Sequence, residues 1–443
     1  MTDIPVVVHH APRFDQVEAA KLTRRLFGIE GTLHPLASER DQNFLVTVGT
    51  GARFVLKIAN ATETLEILDF QNKAIEHLAA HSRRLALPRV VPAITGELIS
   101  RVDGPGRQSH YVRMLTWVPG VALAGVTPHS DALLRSLGRR LGEMDCAFSG
   151  FSHPAASRVF AWDIRQLGWV REELPHITDP GKRAALARCL DRFDAEVAPR
   201  LADLRASVIH NDWNDHNVLV SLPATSDREV VGAVDFGDMV HSPVVADLAV
   251  AASYAMLDKP DPIAAAAAIV GGYHETLPVT DVELSVLYDC ICARLCLSIA
   301  MAARQTAAAP GNEYLQISQR QVWALLQQLL AIPPQWAQYV FRGACGLPPC
   351  PSGATVARWI TEHRDGFTRV LDHDLTTVAT TVLDLSVGSL DIPRLENVHD
   401  VKAFTRLVFE QMSREGAAVG IGRYDEVRLA YTSPLFERPG NNG

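Results

Sequence analysis

The sequence predicts an α+β chain. A small, mostly antiparallel sheet carrying one helix comes first, a larger helical region follows, and a further α+β segment is appended. Three observations predict this. Residues 43–48 and 53–58 are β-branched and aromatic runs separated by Gly49, Thr50 and Gly51, a hairpin signal. Residues 129–331 carry apolar positions mostly at helical spacing. Pro333 and Pro334 then stop the helical pattern, because proline lacks the N–H a helix interior needs and restricts the residue before it.

In the first region the hairpin is followed by a helical stretch over 63–81, with Leu65, Leu68, Ile75, Leu78 and Ala79 on one face. Short strands over 89–93, 97–101 and 111–114 complete the sheet. In the second region Leu133, Leu134, Leu137, Leu141 and Met144 form one apolar stripe. Further helices are expected over 163–176, 180–203, 244–257, 261–275, 280–308 and 313–331. Two strand-like stretches interrupt them: 208–210, grouped with 218–220, and 230–235. In the third region 371–390 is Thr/Val-rich and strand-like. Val401, Phe404, Leu407, Val408 and Met412 mark an amphipathic helix, and strands follow near 419–421 and 427–431. The expected divisions are 14–116, 117–332 and 333–443. The polar, turn-like end from Arg438 to Gly443 has no terminating element, as in a chain cut from a longer one.

Composition narrows the function classes. The 443 residues are 47% hydrophobic and 21% charged, which excludes a disordered chain. The net charge of −8 argues against a dedicated nucleic-acid binder. The longest apolar run, the Ala-rich 262–271, is far shorter than a membrane span of roughly 20 residues, so no membrane partner is expected. The N-terminus lacks the pattern of a secretory signal. Seven cysteines without regular spacing read as reduced thiols in a cytoplasmic protein. Cys345 and Cys350 flank Gly-Leu-Pro-Pro with no nearby second pair to close a zinc site, and read as idle thiols.

The chemistry concentrates between residues 208 and 238. An apolar strand runs into His210, Asn211, Asp212, Trp213, Asn214, Asp215, His216 and Asn217, and the chain then returns to an apolar strand. So many polar groups are expensive to bury without partners. A second strand ends at Asp235, with Asp238 just beyond. Asp and Asn oxygens gathered this way suit a hard cation such as Mg²⁺ beside a phosphate chain.

The pattern His210-x-Asp212-x-x-x-x-Asn217 followed by Asp235-Phe-Gly resembles the catalytic loop and metal-binding element of protein kinases and their small-molecule relatives. The wording His-Asn-Asp and Val-Asp-Phe-Gly-Asp, with no Ala-Pro-Glu ending, is similar to the aminoglycoside phosphotransferase / choline kinase superfamily. Ser38-Glu-Arg-Asp-Gln-Asn-Phe44, Val55-Leu-Lys57-Ile and the segment from Asp235 to Pro243 resemble its hydroxylysine kinase or homoserine kinase branch. The resemblance covers about residues 14–330. It implies a bilobal protein-kinase-like fold, a small-molecule kinase, and ATP or GTP as donor with Mg²⁺.

It also implies roles. Asp212 would take or orient the acceptor's proton. Asn217 and Asp235 would hold the metal, and Lys57 would contact the phosphates. Ser38 to Asn43 would cover the phosphates in place of a Gly-rich loop. The helix partner of Lys57 would be Gln71 by spacing, with Glu66 as competitor. Met114, Thr116 and Val118 would lie on the interlobe link that binds the purine edge. His210 and Asp247 would brace the loop, and Asp215, His216 and Asp238 could serve loop or ligand. The superfamily's amino-bearing substrates call for carboxylates or aromatic faces, with candidates Trp213, Tyr254, Asp258, Tyr288 and Asp289. Arg294 could pair with a substrate carboxylate, which would favour an amino acid over ethanolamine. The segment after Pro334 resembles linkers of bacterial fusion proteins in which a kinase precedes peptidase-like and pyridoxal-phosphate aminotransferase-class domains. That likeness implies an acceptor product passed to a phospho-lyase or related enzyme. An antibiotic phosphotransferase and a pseudokinase scaffold are the competing readings.

Overall fold

A computed structural model describes residues 11–348 except 39, 83, 105–107, 223–227 and 309–312, together with 382–384, 419–424 and 427–432. By internal contacts the chain divides into Met1–Gln327 and Gln328–Gly443.

The first unit opens with helix α1 (Gln16–Phe27), started by a capping box in which Asp15 and Glu18 exchange side-chain and backbone hydrogen bonds. Strands β1 (Thr32–Leu36), β2 (Gln42–Thr47) and β3 (Arg53–Ile58) follow, then helix α2 (Leu65–His81) and strands β4 (Val90–Val91), β5 (Ser100–Asp103) and β6 (Ser109–Thr116). Among the described residues these strands form one antiparallel sheet in the order β1-β2-β3-β6-β4, with β5 also on β6. Phe44, Val46, Leu56, Ile58, Val112 and Met114 build its core against Phe14, Ala19 and Leu22 at the start of the chain. The hairpin and α2 lie where the periodicity placed them. Helix α1 and strand β1 are additions to that reading.

Strand β7 (Val121–Ala122) leads into the helical region: α3 (Asp131–Phe148), α4 (Val170–Glu173), α5 (Pro180–Arg192), α6 (Val244–Ala255), α7 (Pro262–His274), α8 (Asp281–Ala308) and α9 (Glu313–Leu330). The patterns over 163–176 and 180–203 do not form continuous helices. They break into tight turns around short helices, and Pro175 and Pro199 each begin a new turn where a helix interior would lose a hydrogen bond. Between the helices lie β8 (Ala206–Ile209), β9 (Val218–Val220), β10 (Val230–Ala233) and β11 (Val240–Pro243). The grouping of 208–210 with 218–220 is corrected: β8 pairs with β11, and β9 pairs with β10 and β7. The polar loop between β8 and β9 therefore separates two ladders.

Helices α3 and α7 cross so closely that a Cβ on Gly138 would stand 1.9 Å from the Ile269 carbonyl oxygen, and one on Gly272 2.0 Å from that of Arg135. Only glycine fits at either position. Along α8, the span Asp281–Thr306 is apolar and long enough to cross a membrane by length and composition. In the fold 83% of its most apolar window is buried, which makes it a core helix.

In the second unit α10 (Pro334–Ala344) begins on Pro333, so the two prolines also start a helix, where a missing N–H is harmless. Strand β12 (Val382–Asp384) runs parallel to β13 (Val419–Tyr424), which pairs antiparallel with β14 (Val427–Thr432). Most of the expected strand-like stretch 371–390, the expected helix around 401–412 and Cys350 lie outside the described residues.

Candidate active site

The loop after β8 is held from beneath. Asp247, in the first turn of α6 and fully buried, accepts the backbone N–H of His210 (2.8 Å) and of Asn211 (2.7 Å) on its two oxygens. His210 is also buried. Its Nε2 lies 3.2 Å from the Val234 carbonyl, and its Nδ1 faces the Asp212 N–H at 3.3 Å. Those two contacts assign the proton to Nε2, and burial pulls the imidazole below its ordinary range, so the ring is a neutral brace. Asn211 adopts φ 61°, a left-handed conformation that disfavours a residue with a Cβ by of order 1 kcal/mol. This strained turn aims Asp212 into the cleft.

Asp212 is gripped on both oxygens. Oδ2 accepts from Asn217 Nδ2 at 2.7 Å, and Oδ1 accepts from Asn214 Nδ2 at 2.9 Å and from Arg294 Nη2 at 3.2 Å. Burial, then the nearby Asp238 charge, holds its carboxyl well above the usual carboxylate range, against the pull of Arg294. Because Asn217 turns its nitrogen to Asp212, its amide oxygen points elsewhere.

Asp235, at φ 59°, is the second left-handed residue of the site. Its Oδ1 receives Lys57 Nζ at 3.2 Å and the Gly237 N–H at 3.3 Å. Lys57 draws the Asp235 carboxyl far below the usual range. A carboxylate and an amide oxygen are hard donors of the kind Mg²⁺ takes, so the side chains of Asp235 and Asn217 fit a divalent cation. Asn43 lies opposite Lys57 in the β2–β3 ladder, buried, with its amide oxygen unpartnered among the described residues. Ser38 is exposed in the β1–β2 turn.

Several expectations are corrected. Gln71 does not orient Lys57. Its amide oxygen accepts from Arg113 Nη2 at 2.5 Å, while Asn72 takes Nη1 at 2.8 Å. Arg113 sits opposite Lys57 on β6, and its larger guanidinium reaches α2. Thr116 and Trp117 have already committed their N–H groups to the carbonyls of Arg89 (2.8 Å) and Arg53 (3.1 Å), so neither donor faces a purine. Met114 and Val118 are buried around this link. Trp213 is a core side chain, 1% exposed and edge-on to His210. Asp289 is tied to Arg192 at 3.0 Å and Asp258 to Gln321 at 2.5 Å, each a structural pair. Tyr288 is buried on the same turn of α8 as Asp289, and His216 is exposed.

Beside Asp212, Arg294 stands out. It is 2% exposed, and its guanidinium lies 4.5 Å from the Trp162 ring centre and 5.6 Å from that of Tyr254. Nη2 also lies 3.4 Å from the Tyr254 hydroxyl, and Nε has no hydrogen-bond partner among the described residues. A small cavity borders it, lined also by Ser253, Tyr254, Leu257 and Ser298.

Sequence reasoning missed Arg158 and the partner of Arg40. Arg40, in the β1–β2 turn, pairs with Asp238 across the cleft. Arg158 donates to the carbonyls of Gly237 (2.7 Å) and Met239 (2.9 Å) and stacks on Phe160 at 4.1 Å. Arg40 was visible inside the quoted Ser-Glu-Arg-Asp-Gln turn, but no local signal names a partner 198 residues away.

Residues 32–282 match the family described as "Phosphotransferase enzyme family". The chain is 32% identical to hydroxylysine kinase of Mus musculus over 338 residues, covering 72% of this chain and 90% of that protein. Among solved structures, a microcompartment-associated aminopropanol kinase superposes with a TM-score of 0.58 at 18% identity, covering 75% of this chain and 99% of that one. Amicoumacin kinase, determined in complex with AMP-PNP, Ca²⁺ and Ami, superposes at 0.55 with 16% identity, covering 71% and 94%. These likenesses show the kinase-like fold, with an antiparallel-sheet lobe followed by a helical lobe. The chain belongs to the phosphotransferase enzyme family, and it is a small-molecule kinase whose acceptor is a hydroxyl group.

Proposed function

We propose that this enzyme transfers the γ-phosphoryl group of ATP or GTP, with Mg²⁺, to the side-chain hydroxyl of a small amino acid of the hydroxylysine or homoserine type. The observation that carries the acceptor class is Arg294. A guanidinium buried in an aromatic frame, one hydrogen bond from Asp212, matches a planar carboxylate on the substrate that presents its hydroxyl to Asp212. The mouse relative's name, hydroxylysine kinase, supports the same class. Tyr254 lines the small cavity beside Arg294, and Asp215 is the nearby carboxylate proposed to face an amine.

In this reading residues 14–116 bind the nucleotide phosphates, 117–332 carry the metal and acceptor, and 333–443 form an attached module. Lys57 meets the α/β-phosphates, Asn217 and Asp235 hold the metal, and Ser38 and Asn43 close over the phosphates. The metal, when bound, neutralises charge on the phosphates. Asp212 accepts or orients the hydroxyl proton as the acceptor oxygen attacks in line. The product is an O-phosphorylated amino acid, whose phosphate is a leaving group suited to a pyridoxal-phosphate phospho-lyase or aminotransferase-class step. Cys146, Cys189, Cys290, Cys292 and Cys296 form no disulfide, which supports a reducing, cytoplasmic setting.

The test is nucleoside diphosphate release over hydroxylysine, homoserine, threonine, serine, ethanolamine, choline and kanamycin with both nucleotides. Turnover concentrated on a carboxylate-bearing acceptor is the expected result. Preference for kanamycin, or for ethanolamine and choline over all amino acids, overturns the acceptor class.

A further inference from the structure

The cleft holds three cation–carboxylate pairs side by side: Lys57 with Asp235, Arg294 with Asp212, and Arg40 with Asp238. The first two cations already have a ligand in the proposed reaction, the phosphates and the acceptor carboxylate. The third has none, although it is the one that crosses from the phosphate-covering turn to the metal-binding segment.

Its placement is specific. A Cβ on Gly237 would lie 3.2 Å from Asp235 Oδ1 and 3.4 Å from Arg40 Nη2, so the Arg40 guanidinium and the Asp235 carboxylate flank the same glycine. The guanidinium is 5.6 Å from the Phe160 ring centre, and Arg158 lies over the same ring. The stem is anchored as well. The Arg40 carbonyl accepts from Asn60 Nδ2 at 3.2 Å, and the neighbouring Asp41 accepts the Asn60 N–H at 3.1 Å. The turn therefore delivers a guanidinium with little freedom.

Building on the kinase reading, we infer that Arg40 contacts the transferring phosphoryl group, leaving Asp238 for the triphosphate when nucleotide binds, as an arginine supplied in cis. In the step itself the acceptor oxygen forms a bond to the γ-phosphorus and the bond from that phosphorus to the β,γ-bridging oxygen breaks. The nucleoside diphosphate leaves, and the hydroxyl proton passes to Asp212. Charge spreads onto the equatorial and bridging oxygens, and a guanidinium there gains most in the transition state. Asp238 is the placeholder that keeps Arg40 pointed into the site beforehand.

Arg40→Ala and Arg40→Lys in the full chain test this. Turnover is expected to fall about 100-fold in Arg40→Ala while the nucleotide KM moves by less than about threefold, the signature of an interaction made in the transition state. By calorimetry both variants should bind ADP about as tightly as the parent. Each should lose at least about tenfold of the extra affinity that Mg²⁺ and aluminium fluoride confer. Added guanidinium at low concentration should restore part of the Arg40→Ala turnover. Equal weakening of ADP and of its aluminium fluoride complex, or turnover within about threefold of the parent, overturns the assignment and leaves Arg40 as a structural tie. Circular dichroism checks folding, and Arg40→Lys carries the test if the alanine variant unfolds. A parent enzyme that turns over no hydroxyl acceptor overturns the kinase reading instead, and the aluminium fluoride titration still reports on Arg40.

Discussion

The two ends of the cleft are built differently. At the nucleotide end Asp235 is about half exposed (48%) and its partner Lys57 nearly enclosed (10%). At the acceptor end Arg294 is sealed at 2% and Asp212 at 21%, with aromatic rings packed on the guanidinium. In the proposed reaction the open pair would exchange partners, because a metal ion and phosphates would displace it each cycle. In the proposed reaction the enclosed pair would discriminate, because a buried guanidinium already held by Asp212 and aromatic rings offers an acceptor little room for substitutes.

Several variants can break or sharpen this contrast. Asp212→Asn should have the largest effect, reducing turnover by about 10³-fold or more with the chain still folded, checked by single-turnover phosphate transfer and circular dichroism. Arg294→Gln should raise the acceptor KM by about 100-fold and leave the nucleotide KM unchanged, with the loss confined to carboxylate-bearing acceptors. If both KM values rise together, the two ends are not independent. Gly138→Ala should lower stability by roughly 3 kcal/mol or more in urea unfolding, because the new methyl meets the Ile269 carbonyl on a rigid partner helix. Lys73→Ala removes an exposed pair with Asp69, 56% and 41% exposed, and should change stability by less than about 0.5 kcal/mol. A larger change there would mean that surface charge matters more to α2 than to either end of the cleft.

What could be read from the chain depended on distance along it. The hairpin, α2, the stripe of α3 and the polar loops at 210–217 and 235–238 each announce themselves within a dozen residues, through period, turn chemistry or a cluster too polar to bury idly. Even α1 left a local signal, the Asp15 and Glu18 capping box. The failures are pairings. Gln71 was assigned to Lys57 by helix spacing, yet β6 brings Arg113 to the same face, and its reach across to α2 takes the amide first. The 30 residues between β8 and β11 hide their ladder, because strand pairing is decided by which edges meet after the loop folds. Trp213 looked like a ligand face and is a core ring.

The sequence by itself determined that this is a two-lobed phosphotransferase, and it singled out the acidic and amide side chains to which the proposed chemistry is assigned. Those signals are local, and the spacing between them is set by strand and turn geometry. Only the tertiary structure decided which cation each carboxylate meets: Lys57 for Asp235, Arg294 for Asp212, Arg40 for Asp238. Each pair joins residues about 80 to 200 positions apart. Such pairs form because carboxylates drawn even partly out of water find a counter-charge in whatever elements packing brings within reach, and no periodicity in a chain records that choice.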